Sequence, residues 1–233
     1  MITGECLNKT TKVLIINATA VGENNGTGVT LRNIWKDFPR ENILQLIVNW
    51  KDSEKDNDIQ TIRTPKKFCC IPYNINSWMN KHRKQSVGVA NGSIKQAGIA
   101  ACIHDFLRGA LDAFPVNCSC VLDAVRAFSP DVIYTCGASI RILKTANYFA
   151  RKLRIPIVLH LMDDWPETIY TTSFLSFPFR KIVQRQLKIL HANCTLNLAI
   201  STALGDKYSS IYGVEYKMLM NPAYTKLGFT VKP

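Results

Sequence analysis

The sequence predicts an α/β domain: an open, doubly wound and mostly parallel sheet with helices on both faces. Uninterrupted apolar runs such as KVLIIN (12–17), NILQLIVN (42–49) and IPIVLHL (155–161) suit strands buried on both sides. Segments with helical spacing of apolar residues alternate with these runs. A chain of 233 residues with 47% hydrophobic content has room for one large domain with a real core.

The elements follow in order along the chain. Strand 12–17 runs into a Gly- and Asn-rich loop over 20–28. A helix then spans 27–38, with Val29, Leu31, Ile34, Trp35 and Phe38 toward one face. With strand 42–49 this makes a first βαβ unit. The charged stretch 50–67 reads as a surface loop with a short strand near Ile62. Residues 73–92 carry aromatic and basic residues among polar ones and read as an insertion at one edge. Helical spacing returns over 93–113 and 118–128, the latter stopped by Ser129-Pro130. Strand 131–135, a basic amphipathic helix over 139–153 and strand 155–161 come next. A helix over 177–191, strand 195–200, a helix from Ser201 to Tyr212 with Gly213 as its stop, and a last strand over 216–220 complete the alternation.

Composition narrows the classes. A net charge of +12 favours an anionic partner: a nucleotide, a phosphorylated substrate or a membrane surface. The polar start and the lack of any apolar run near ~20 residues give the expectation of a cytoplasmic protein. On that expectation the eight cysteines do not form a disulfide scaffold. Cys69-Cys70 and Cys118-x-Cys120 lack the two-residue gap of paired zinc ligands, so no metal site is expected. The Asn-x-Ser/Thr triplets at Asn8, Asn17, Asn25, Asn91, Asn117 and Asn193 read as chance matches.

Candidate site residues gather at the strand exits. In Asn25-Gly26-Thr27-Gly28, glycines between a first strand and its helix allow close approach of a phosphate to a helix N-terminus. The dinucleotide fingerprint would place a third glycine where Leu31 stands. The block LHLMDDW ends a buried strand in His160, Asp163, Asp164 and Trp165, and such ends hold ligands in open α/β sheets. Asp164 competes with a plain role as N-cap ahead of Trp165-Pro166. Ser201 reads first as a helix cap and second as a substrate contact, since no G-x-S-x-G elbow surrounds it. Arg180, Lys181, Arg185 and Lys188, preceded by Phe174, Phe177 and Phe179, are either a solvated helix face or a peripheral contact with an anionic membrane.

KVLIIN with NNGTGVTLRNI, PDVIYTCG before a helix, IPIVLHLMDDW, and LAISTALGDKYSSIYGVEYKMLMNP occur in an order that resembles the N-terminal, acceptor-side domain of retaining glycosyltransferases of the GT-B fold. The resemblance implies a Rossmann-like half-enzyme over residues 1–222, with 223–233 beginning the linker to a donor domain that this chain lacks. It implies transfer of a sugar from a nucleotide-sugar donor, which is a substrate and not a cofactor, to the hydroxyl of a glycan or lipid-linked acceptor. It places Asn25, Gly26, Thr27 and Gly28 at the donor phosphates. His160, Asp163 and Asp164 take catalytic positions, and Trp165 and Ser201 lie along the substrate. Activity without the donor domain is expected to be low, and a peripheral position on the inner membrane face would suit a lipid-linked acceptor. The rival readings are a small Rossmann-type oxidoreductase or epimerase, which needs a nicotinamide site, and a non-catalytic module that pairs with another chain. No nucleic-acid partner is expected.

Overall fold

Parallel pairing of an apolar first strand on both of its edges organises the chain. The computed structural model describes residues 11–48, 59–63, 99–114, 118–171 and 174–220. The edge insertion read over 73–92, the Cys69-Cys70 pair, the Asn221-Pro222 stop and the linker lie outside the described residues. The strands are β1 (Val13–Asn17), β2 (Ile43–Ile47), β3 (Gln60–Arg63), β4 (Val132–Thr135), β5 (Ile157–Leu161), β6 (Cys194–Ala199) and β7 (Lys217–Met218). They form one seven-stranded sheet in the order β3-β2-β1-β4-β5-β6-β7. Every pairing is parallel, with Val13 opposite both Ile43 and Val132. The fold is the Rossmann-like α/β sheet that the sequence predicts.

The helices are α1 (Gly26–Trp35), α2 (Ile99–Ala113), α3 (Ser119–Phe128), α4 (Ile140–Leu153), the single turn α5 (Trp165–Thr168), α6 (Phe177–His191) and α7 (Thr202–Tyr212). They take both sides of the sheet. One core joins Leu14, Ile16, Leu44, Leu159 and Leu161 to α3, α4 and α6 through Val125, Phe149, Val183 and Leu187, all essentially sealed from solvent. The other joins Val13, Ile15, Ile43, Val158 and Leu198 to α1 through Leu31 and Trp35. Winding runs leftward from β1 to β2 and rightward from β4 to β7, so the two sets of crossovers fall on opposite faces. The point of reversal lies between β1 and β4, where open α/β sheets form their ligand crevice.

Two sequence expectations change in detail. The α1 face is narrower than expected: Gly28, Thr30, Leu31 and Trp35 are buried, while Val29 and Phe38 stay partly open. The basic character of α4 is not all surface charge either. Arg141 turns inward, 4% exposed, lies 3.7 Å from Asp112 and donates to the Leu111 carbonyl, while Lys144 donates to the Ala113 carbonyl. Both cations therefore satisfy carbonyl groups at the C-terminal end of α2, where the helix dipole favours positive charge. Asp112 also accepts from Tyr170 Oη at 2.6 Å, which ties α2 to the turn after α5.

This arrangement separates two arginines of one helix. Arg141→Ala leaves the partly buried Asp112 carboxylate with Tyr170 but without its cation, and frees the Leu111 carbonyl, so it is expected to cost about 2 kcal/mol. Arg151→Ala, exposed near the end of α4, is expected to stay within ~0.5 kcal/mol of the parent. Urea unfolding of both variants checks the difference.

Candidate active site

The candidate site is bounded by the exits of β1, β4 and β5, which are neighbours in the sheet. Asn17 ends β1, and its Oδ1 accepts from the Cys136 backbone N–H at 2.8 Å, across the reversal point. Thr135 Oγ1 donates to the Ile16 carbonyl at 2.7 Å and accepts from the Gly137 N–H at 3.1 Å. Gly137 and Ala138 then take successive left-handed conformations, φ 74° and 73°. Only glycine adopts that region without cost. Glycine is also required by space, because a Cβ at Gly137 would lie 2.5 Å from Trp165 Cζ2. Trp165, 6% exposed, is therefore a buried wedge that sets the β4 exit. Two side-chain donors at this edge, Asn17 Nδ2 and Trp165 Nε1, are buried without a partner. The burial of Asn17 also removes it as a glycan acceptor.

The loop after β1 closes on itself. Asn25 Oδ1 accepts from Gly28 N at 2.9 Å and caps α1, and the Gly28 carbonyl accepts from Gly22 N. A Cβ at Gly28 would sit 2.3 Å from the Glu23 carbonyl oxygen, so this glycine makes room for the chain's own loop. Gly26 differs: it is exposed, and nothing lies within 4 Å of where its Cβ would be. Of the four residues assigned to a donor phosphate, Gly26 and Thr27 stand at the open first turn of α1. Asn25 and Gly28 are taken up by capping and closure.

His160 lies in the strand interior with no solvent exposure. Its Nδ1 is 2.6 Å from Tyr134 Oη, a hydrogen bond between β5 and β4. Nε2 has no partner at hydrogen-bond geometry. Burial lowers the His160 pKa to about 4, and the nearby Leu219 backbone pulls weakly the other way. The ring is thus neutral near pH 7. Burial also pushes Tyr134 far above its ordinary value, with Cys136 adding to the shift, and raises the Cys136 thiol to about 12. This pair joins β4 to β5, and both side chains are buried.

The two carboxylates part ways. Asp163 is exposed, and its Oδ1 accepts from Trp165 N at 3.2 Å. Asp164 accepts from Lys207 Nζ at 2.7 Å and from Tyr208 Oη at 2.7 Å, which clasps the β5 exit to α7. Partial burial works to raise the Asp164 pKa, but those hydrogen bonds and the Lys207 charge outweigh it, so the carboxyl lies below its ordinary range. Residue 164 does stand at the N-cap position of α5, yet the side chain bonding there belongs to Asp163. Ser201 is the N-cap of α7, its Oγ accepting from Leu204 N at 3.3 Å, as the cap reading expects.

Sequence reasoning missed Tyr134, Lys207, Tyr208 and the wedge role of Trp165. Only Trp165 carried a signal: a large aromatic four residues beyond a buried strand opposite a glycine-bearing exit. Lys207 and Tyr208 sit 43 and 44 residues from Asp164, with nothing local to mark the pairing. Among the described residues, no three or more His, Cys, Asp and Glu side chains converge into a metal-binding group. No protein-family model matches the chain, and no curated protein matches it significantly.

His160 gives a pH signature with a definite sign. Its folded pKa lies below the unfolded value of about 6.5, so the unfolded chain binds more protons between the two. Stability is full above pH 6.5 and falls as pH drops toward 4. The full loss amounts to about 3 kcal/mol. His160→Gln is expected to flatten this part of the curve. Urea midpoints at pH 7 and pH 4.5 for both proteins measure it.

Proposed function

We propose that this domain is the acceptor-side half of a glycosyltransferase that moves a sugar from a nucleotide-sugar donor to an acceptor hydroxyl. The observation that carries the reading is the pairing of unlike groups along one sheet edge. The open N-terminal turn of α1, at Gly26 and Thr27, lies beyond β1, and the exposed carboxylate of Asp163 lies beyond β5. Those exits are two strand spacings apart, about 10 Å, which leaves room for one sugar ring between a bound phosphate and an incoming hydroxyl.

In this reading the amide groups of the first α1 turn meet the donor diphosphate and stabilise the charge that grows on it as the anomeric bond breaks. The acceptor oxygen bonds to the anomeric carbon on the face the diphosphate leaves, and its proton goes to the departing diphosphate. Asp163 orients the acceptor hydroxyl by accepting its hydrogen bond. Asp164 holds the β5 exit to α7, and Trp165 fixes the β4 exit. His160 is a positioning residue: neutral, buried, and bonded to Tyr134 so that β4 and β5 keep their relation. Asn25 and Gly28 shape the loop that presents Gly26.

The nicotinamide alternative asks for a second loop glycine that lets the main chain approach a pyrophosphate. Here the space at Gly28 is filled by Glu23 and its N–H is taken by Asn25, which favours the transferase reading.

Gly26→Val tests the proposal, since its side chain projects into open space and leaves the fold intact. Saturation-transfer NMR with a panel of nucleotide diphosphate sugars is expected to show weak binding that falls about tenfold or more in the variant. Equal binding by both proteins, or tight binding of a nicotinamide dinucleotide, would overturn it.

A further inference from the structure

The outer surface at the start of α6 combines features that the sheet-edge site does not use. Phe174 is 85% exposed, Phe177 54% and Leu175 47%, far more than isolated surface apolar residues need. They adjoin α2, where Ile103 and Phe106 are also exposed. The two helices meet at Gly109, where any side chain would strike the Phe179 ring, and the Phe106 ring lies tilted against the same ring with centroids 5.5 Å apart. The apolar side chains therefore stand on elements packed against one another and are not a set of unconnected residues.

Charge continues the patch along α6. Phe177, Lys181, Arg185 and Lys188 recur at helical spacing and all face outward, while Val183, Leu187 and Leu190 pack inward. Lys181 Nζ sits 5.3 Å from the centre of the Phe177 ring. Arg180, grouped with these cations in the sequence, does not belong with them: it is half-buried and bonded to Glu167 at 2.9 Å. No Asp or Glu occurs between Phe174 and His191, nor anywhere in the adjoining helix α4, whose end adds exposed Arg151 and Lys152. A second copy of the same surface would be repelled by it. Exposed aromatics beside an unbroken cationic stripe fit a layer that is apolar inside and anionic at its face.

We propose that this surface docks the protein on an anionic phospholipid bilayer, with Phe174, Leu175 and Phe177 entering the headgroup boundary and Lys181, Arg185 and Lys188 lying on the phosphates. The inference rests on this surface alone and is independent of the reaction proposed at the sheet edge. Binding is reversible and salt-sensitive, because a few aromatic side chains anchor weakly and exposed charges are screened.

The test is sedimentation of the full chain with phosphatidylcholine vesicles, with and without phosphatidylglycerol. Partitioning is expected only onto the anionic vesicles and is expected to fall as salt rises. The triple variant K181E/R185E/K188E is expected to lose about a hundredfold in partitioning, at roughly fivefold per cation. The double variant F174S/F177S is expected to lose about tenfold or more. All these positions are exposed, so an unchanged urea midpoint confirms that each variant is folded. No partitioning at low salt would overturn the proposal. So would loss with the charge variant but none with the phenylalanine variant, which would mark a surface for soluble polyanions instead.

Discussion

Two hydrogen bonds cross from β1 to β4 at the carboxyl edge, and the site depends on them. Thr135 Oγ1 to the Ile16 carbonyl and Cys136 N–H to Asn17 Oδ1 lock the strands together where the direction of winding reverses. At that place no crossover helix bridges the neighbouring strands, so the two exits are free to diverge and leave a crevice. Side chains replace the ladder just as it runs out. Gly137 can then turn into a left-handed conformation against Trp165, and the start of α4 is aimed from a fixed point. Buried bonds of this kind resist loss, since each leaves an unpaired group behind when broken.

Much of the architecture was legible in the sequence, because buried parallel strands write themselves as apolar runs. KVLIIN, DVIYT and TLNLAI each became a strand, and Gly213 ended α7 with a positive φ as expected of a C′ glycine. Even the short strand near Ile62 was visible. The site was less legible, since its parts meet through space. The motif DDW gave three neighbours, yet the structure turns one carboxylate to solvent, one to α7, and the indole to a glycine in another loop. Period and motif report which residues are near each other in the chain; they do not report a partner 43 residues away, such as Lys207 for Asp164.

Basic residues show the same division. The charge of +12 reads in the sequence as one property, but the fold gives its members different work. Arg141 and Lys144 complete the end of α2, Arg180 holds Glu167, and Lys207 holds Asp164, while the outward row on α6 has no acidic neighbour on its own helix. Exposed pairs such as Lys207–Asp164 add little stability by themselves. Their value here is geometric, since this one also recruits Tyr208 and joins a loop to a helix.

The central place of β1 also bears on how the chain comes to be folded. One of its edges is completed by β2 within a short distance, but the other must wait for β4, 119 residues later. At ~5–20 residues per second of synthesis, that wait is roughly 6 to 24 s. During it, a strand apolar in all but its last residue has an open edge and a face without its cover. Such edges invite pairing with other chains, and long-range parallel pairing is slow to form even once the partner exists. The strand that gives the finished sheet its order is thus the one that leaves the nascent chain most open to aggregation and most dependent on protection while it is made.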